Sequence, residues 1–238
     1  MNKAIIVARH ELKKWIGSLR FWGVIGFLVF LIVGQLSGFM PVRLPGMNHK
    51  FHLVLEMMSG IGVIIPIFLS YDTLSKEADQ NTLQAVLTKP ISRASLFLGK
   101  WLFTIVYALI VITIPVAIGA IWTGVSFTEL VTGIGFGALG AIAFLSWTLA
   151  ASGLTLKKGS GTVAALTIIG FVGLFSLGMS SEPAISRFSP TRLTSLYGMT
   201  FEGIPLQAGD LYFGLVYAAC LIVFLLSVGM WSFSRQDI

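Results

Sequence analysis

The chain has 238 residues, 55% of them hydrophobic and only 11% charged, with a formal net charge of +6. A soluble domain carries about 25% charged residues, so the composition excludes one and describes an integral membrane protein. The length suits a single domain and leaves no room for an added soluble enzymatic domain.

Residues 1–20 precede any long apolar run and are patterned. Ile5, Ala8, Leu12, Trp15 and Leu19 recur at alternating spacings of three and four, which is one apolar helical stripe. Lys3, Arg9, Lys13 and Lys14 fall largely off it. This predicts a basic amphipathic helix lying in the membrane interface, not a secretory signal, whose basic region is short and followed by a cleavage site.

Six apolar runs follow, at roughly 21–40, 53–71, 101–123, 130–154, 162–180 and 211–233, each near the ~20 residues a helical span needs. They are too long and too uniformly apolar for barrel strands. The third and fourth are separated only by the short turn Trp122–Glu129. Pro66 and Pro115 lie inside the second and third runs, where each removes a helix hydrogen bond. Gly133-x-x-x-Gly137 in the fourth is a small-residue packing signal.

Around the start of the second run, His49, His52 and Glu56 stand at i, i+3 and i+7, so a helix puts them on one face, and Met47, Met57 and Met58 are adjacent in sequence. Imidazole with thioether suits copper, and imidazole with carboxylate suits zinc. Ordinary interfacial residues share a face equally well, so no metal is expected, and these three are the residues to test.

Between the second and third runs lies a polar island, Tyr71–Lys100. Leu74, Ala78, Leu83, Val86 and Leu87 suit an amphipathic helix that Pro90 stops. Ser92 then caps a new helix running into the third span. The last outer segment, 181–210, is apolar over Leu193–Phe201 yet interrupted by Pro183, Pro190 and Pro205. It is expected to dip back into the membrane, where protein or water must satisfy its irregular backbone.

Charge orients the chain. With the N-terminus in the cytosol, twelve of the sixteen Lys and Arg fall on the cytosolic side and only Arg43, Lys50, Arg187 and Arg192 fall outside. The positive-inside rule therefore places both termini in the cytosol, in agreement with an even span count. The cations flank spans and form no single patch, so nucleic-acid binding accounts poorly for them. The single cysteine, Cys220, sits in an apolar run and permits no intrachain disulfide.

Catalytic constellations are missing. No phosphate-binding G-x-x-x-x-G-K-[ST] occurs, and Lys157-Lys158-Gly159-Ser160-Gly161 lacks its leading glycine spacing. No predicted span contains a histidine for serine-protease chemistry. The acids are scattered, apart from Asp72, Glu77 and Asp79. The chain is expected not to be an enzyme and to hold no cofactor of its own.

The polar island carries a resemblance. Tyr71-Asp72, Ser75-Lys76-Glu77, Asn81-Thr82-Leu83, Leu87-Thr88-Lys89-Pro90-Ile91-Ser92-Arg93 and Gly99-Lys100 together resemble the loop of type 2 ATP-binding-cassette exporter permeases. Ala8-Arg9-His10-Glu11-Leu12 is similar to that family's opening elbow, and Phe233–Ile238 to its closing end, with Gln236 replacing a basic residue. Ala78 also departs from the charged residue often found after the glutamate.

The resemblance implies an all-α integral membrane fold: six transmembrane helices, an N-terminal elbow helix (about 1–20), a coupling helix in the 72–100 loop, and re-entrant helices in 181–210. It implies a single permease domain over 1–238, paired with a second copy or a paralogue in the lipid bilayer of the cell membrane. A separate ATPase subunit would hold ATP and magnesium and dock at Asp72, Glu77, Thr82 and Arg93. The alternative is a non-transport membrane subunit that anchors or assembles a peripheral complex through the same loop.

Overall fold

The computed structural model describes residues 3–37, 50–70, 92–155, 160–178 and 182–235. Among the described residues there are nine helices and no strand: α1 (Lys3–Ile16), α2 (Leu19–Leu36), α3 (Lys50–Ser70), α4 (Arg93–Thr123), α5 (Phe127–Thr155), α6 (Ser160–Gly178), α7 (Pro183–Ser186), α8 (Arg192–Thr200) and α9 (Ala208–Arg235). Four of them, α4, α5, α6 and α9, are long and apolar enough to cross a membrane. A fifth candidate is the α1–α2 pair, bent by 68°. The predicted helix over 74–87 and its stop at Pro90 lie outside the described residues.

The termini follow local chemistry. Ser92 caps α4 as its spacing predicts, with its hydroxyl accepting from the Ser95 amide at 3.2 Å. Gly124, at φ +70°, ends α4 in the left-handed region that glycine enters without strain. Two residues later Ser126 and Glu129 form a reciprocal capping box. The Ser126 amide and hydroxyl reach Glu129 Oε2 at 2.6 and 2.8 Å, and the Glu129 amide returns to Ser126 Oγ at 3.3 Å. The turn between the third and fourth predicted spans is therefore a built corner.

The core repeats the helical period. Phe21, Ile25, Leu28, Ile32 and Leu36 of α2 are buried against Phe51, Val54, Leu55 and Met58 of α3 and Phe103, Tyr107, Val111 and Val116 of α4. The opposite face of α2 is also apolar but exposed, through Trp22, Phe27 and Phe30. Apolar residues on every side suit a lipid-facing helix.

Lipid tails are as apolar as leucine, so close packing rather than water exclusion holds such helices together. Glycines provide it. A Cβ on Gly119 would lie 2.8 Å from Val54, on Gly133 2.9 Å from Leu55, and on Gly153 2.7 Å from the Gly229 carbonyl oxygen. The Gly133 step of the small-residue signal is therefore consumed within the chain. Half of α4's most apolar window is buried, against 11% for α6 and 17% for α9.

Within the 181–210 segment, α7 packs against α6, and α8 runs beside α5. Pro190 O reaches the place where a Gly140 Cβ would stand, at 2.9 Å. Further along, the Tyr197 hydroxyl donates to Glu129 O at 3.0 Å. Gly140 lies eleven residues below Glu129, which is about 16 Å along a helix. The segment thus reaches well down the side of α5. Leu193, Thr194, Tyr197 and Gly198 are buried there.

The elbow differs from its predicted stripe. Ile5 is half-exposed and Leu19, already in α2, is 91% exposed. Ala8, Leu12 and Trp15 of the predicted stripe do pack inward, and the packed face also takes in Ala4, Val7 and Glu11. A purely apolar stripe could not anticipate this, because an acid lies on the packed face.

Candidate functional site

The residues that would carry motion to or from the 71–91 loop are those at the N-terminal end of α4. At 31 residues, α4 is about 46 Å long, while a hydrocarbon core is ~30 Å thick. Its first turns therefore have length to spare beyond a bilayer. They begin directly after the Ser92 cap.

Two elements grip these turns. On one side stands the C-terminal end of α9. The Arg93 guanidinium donates to Ser234 O at 3.1 Å, a cation on the carbonyl end of a helix. Phe97 lies against Phe233, with ring centroids 5.9 Å apart, and next to Gly229. Arg235 in turn sits over the Trp231 ring at 4.4 Å.

On the other side stands α1. Gly99 has no room for a side chain, since a Cβ there would be 2.7 Å from Val7 Cβ and 2.8 Å from Ala4 O. The next residue, Lys100, is 1% exposed, and its Nζ meets Glu11 Oε1 at 2.9 Å. One and two turns up, Trp15 packs obliquely on Phe103 and Tyr107, and next to Lys100 the Trp101 indole donates to Ser146 of α5 at 3.0 Å.

Of the four residues expected to meet an ATPase subunit, the structure describes only Arg93; Asp72, Glu77 and Thr82 lie outside the described residues. The Glu11–Lys100 pair was not anticipated from the sequence. Its signals were present separately: Glu11 is the single acid among residues 1–20, and Lys100 is the last cation before a long apolar run. Nothing in a linear pattern joins two residues 89 positions apart.

At the other end of the molecule, His49 lies outside the described residues, while His52 and Glu56 share a face of α3 as predicted. His52 is 3% exposed. Its Nε2 faces Glu56 at 3.8 Å, and its Nδ1 faces Glu202 at 3.6 Å, beyond α8. The two carboxylates approach different nitrogens of one ring rather than a common point. Among the described residues no group of three His, Cys, Asp or Glu is placed to hold a metal ion.

An amphipathic helix packed on the first turns of a long helix, an apolar bundle and two short helices beside it together define a polytopic membrane domain. The family model described as ABC-2 family transporter protein matches residues 5–181, about three quarters of the chain. The chain belongs to that family, and it is a multi-pass membrane protein of the ABC transporter permease class. The matched residues end before α7, α8 and α9. No curated protein matches the chain.

Proposed function

We propose that the chain is the permease subunit of an ATP-driven exporter in the cytoplasmic membrane, with six spans and both termini in the cytosol. In this reading it pairs with a second copy or a paralogue. A separate cassette subunit binds ATP and magnesium, docks on the 72–100 loop, and carries out all hydrolysis. Asp72, Glu77, Thr82 and Arg93 couple the loop to that subunit through charge-assisted contacts. The 181–210 hairpin is re-entrant from the outer face.

The observation that carries this reading is the seating of α4. Its first turns begin at the Ser92 cap, next in sequence to the family's loop, and are held by α1 and α9 on two sides. A push on the loop therefore reaches the bundle directly. Alternating access then follows as a rigid-body shift of spans, biased by ATP binding in the partner. The twelve cations on the proposed cytosolic side support the orientation, and the exposed apolar faces of α2, α6 and α9 supply surface for lipid and for a second permease.

The test is co-expression with the cognate cassette ATPase. Glu77→Arg is expected to reduce co-purification or permease-stimulated ATP hydrolysis while the permease keeps its thermal stability. Full complex formation with full stimulated activity in that variant would refute the docking site. A permease that never changes the ATPase rate of any cassette subunit it binds would favour the anchoring alternative.

A further inference from the structure

The Glu11–Lys100 pair joins two largely buried, oppositely charged side chains across the contact between α1 and α4. We propose that this buried ion pair locks the elbow to the first turns of α4, so that α1 and the α4 base move as one body and loop displacement passes to α2. The inference rests on the exporter reading above and adds positioning residues to it.

Three features of the site support the lock. The first is the burial of the pair: side-chain exposure is 2% for Lys100 and 13% for Glu11, at an Nζ–Oε1 distance of 2.9 Å. Separating the two would leave the largely buried Glu11 carboxylate without its cation, which is unfavourable. Apolar surfaces can slide past one another at little cost, but a buried pair of this kind cannot. The second is the backbone approach at Gly99, which sets Val7 and Ala4 directly on α4 and leaves no slack beside the pair. The third is the far end of the elbow, which is tied as well. The Ser18 hydroxyl donates to Trp15 O at 2.7 Å, and the Trp22 indole donates to Ile16 O at 3.0 Å. The 68° corner into α2 is thus braced, and motion of α1 is delivered to the first span.

A buried ion pair is a poor means of gaining stability, because well-packed apolar residues of similar volume often serve as well or better. That property separates locking from mere packing. The replacement pair Glu11→Leu with Lys100→Met keeps the volume and removes the lock. The exchanged pair Glu11→Lys with Lys100→Glu keeps the lock.

The experiment uses the full chain with its cassette ATPase in nanodiscs, in a Cys220→Ser background, with spin labels at Arg9→Cys on α1 and Ile121→Cys at the far end of α4. Labelled chains are diluted with unlabelled ones, and distances are read with and without trapping by ATP and vanadate. In the native pair, trapping is expected to leave the α1–α4 distance unchanged. In the apolar pair it should shift or broaden the distance, and most ATPase stimulation should be lost although the ATPase still co-purifies. The exchanged pair should behave as the native one.

A shift on trapping in the native protein would overturn the proposal. So would full stimulation with an unmoved distance in the apolar pair, or an exchanged pair that behaves like the apolar one. Failure of the native chain to bind any cassette ATPase would instead refute the exporter reading. The two failures are therefore distinguishable.

Discussion

Replacing Gly153 by alanine adds one methyl group where α5 meets α9 backbone to backbone. The new Cβ would stand 2.7 Å from Gly229 O and 3.3 Å from Gly229 Cα and C. An ordinary contact needs ~3.4 Å or more, and the opposing atoms are main chain, so no rotamer change relieves the overlap. The helices must separate by several tenths of an ångström. That also stretches the bond from Ser232 Oγ to Gly153 O, now 3.1 Å.

Overpacking of this kind costs about 1–3 kcal/mol, and the weakened hydrogen bond about 1 kcal/mol more. Alanine's better helix propensity returns roughly 1 kcal/mol. The net expectation is about 1–3 kcal/mol of destabilisation. At roughly 2–4 °C per kcal/mol for a chain of this size, the Tm should fall by on the order of 5 °C. Gly26→Ala is the matched control, since nothing lies within 4 Å of its Cβ position and the residue is exposed. It should be neutral or slightly stabilising. Thermal unfolding of both variants in the same detergent decides the matter. A Tm for Gly153→Ala equal to or above that of Gly26→Ala would refute the close-packing account.

Three further outcomes are expected. Tyr197→Phe removes the 3.0 Å bond to Glu129 O and should cost about 1 kcal/mol; unchanged stability would mean that α8 is not held to α5 by this bond. A compartment-specific reporter fused after Ile238 should read as cytosolic, and an extracellular signal would reject the proposed topology. Zinc or copper added to the purified chain should not bind stoichiometrically. One metal per chain, lost in His49→Ala with His52→Ala and weakened as pH falls through the histidine range, would point instead to a metal site completed by His49.

Much of the architecture was legible in the linear order of residues, because the signals are local. A run of ~20 apolar residues must become a helix in a bilayer, where each backbone group needs a partner within its own segment. Accordingly the apolar runs at 101–123, 130–154, 162–180 and 211–233 appear as α4, α5, α6 and α9, each extended at one or both ends. The Ser92 cap and the tight corner between α4 and α5 were equally readable, since both depend on residues three positions apart. The loop landmarks that carry the family resemblance are local too.

Tertiary structure decided which faces meet. The elbow's predicted stripe included Ile5 and Leu19, which are exposed, and passed over Glu11, which is packed. In an environment where every side chain is apolar, hydrophobicity no longer tells inside from outside. Selection passes to shape, as at Gly99 and Gly153, and to the few polar groups that must find one another. Glu11 and Lys100, or His52 and Glu202, are separated by many residues and joined only when the helices pack. Charge pairing in a low-dielectric interior is strong enough to require a partner, yet nothing along the chain names that partner until the fold brings the two together.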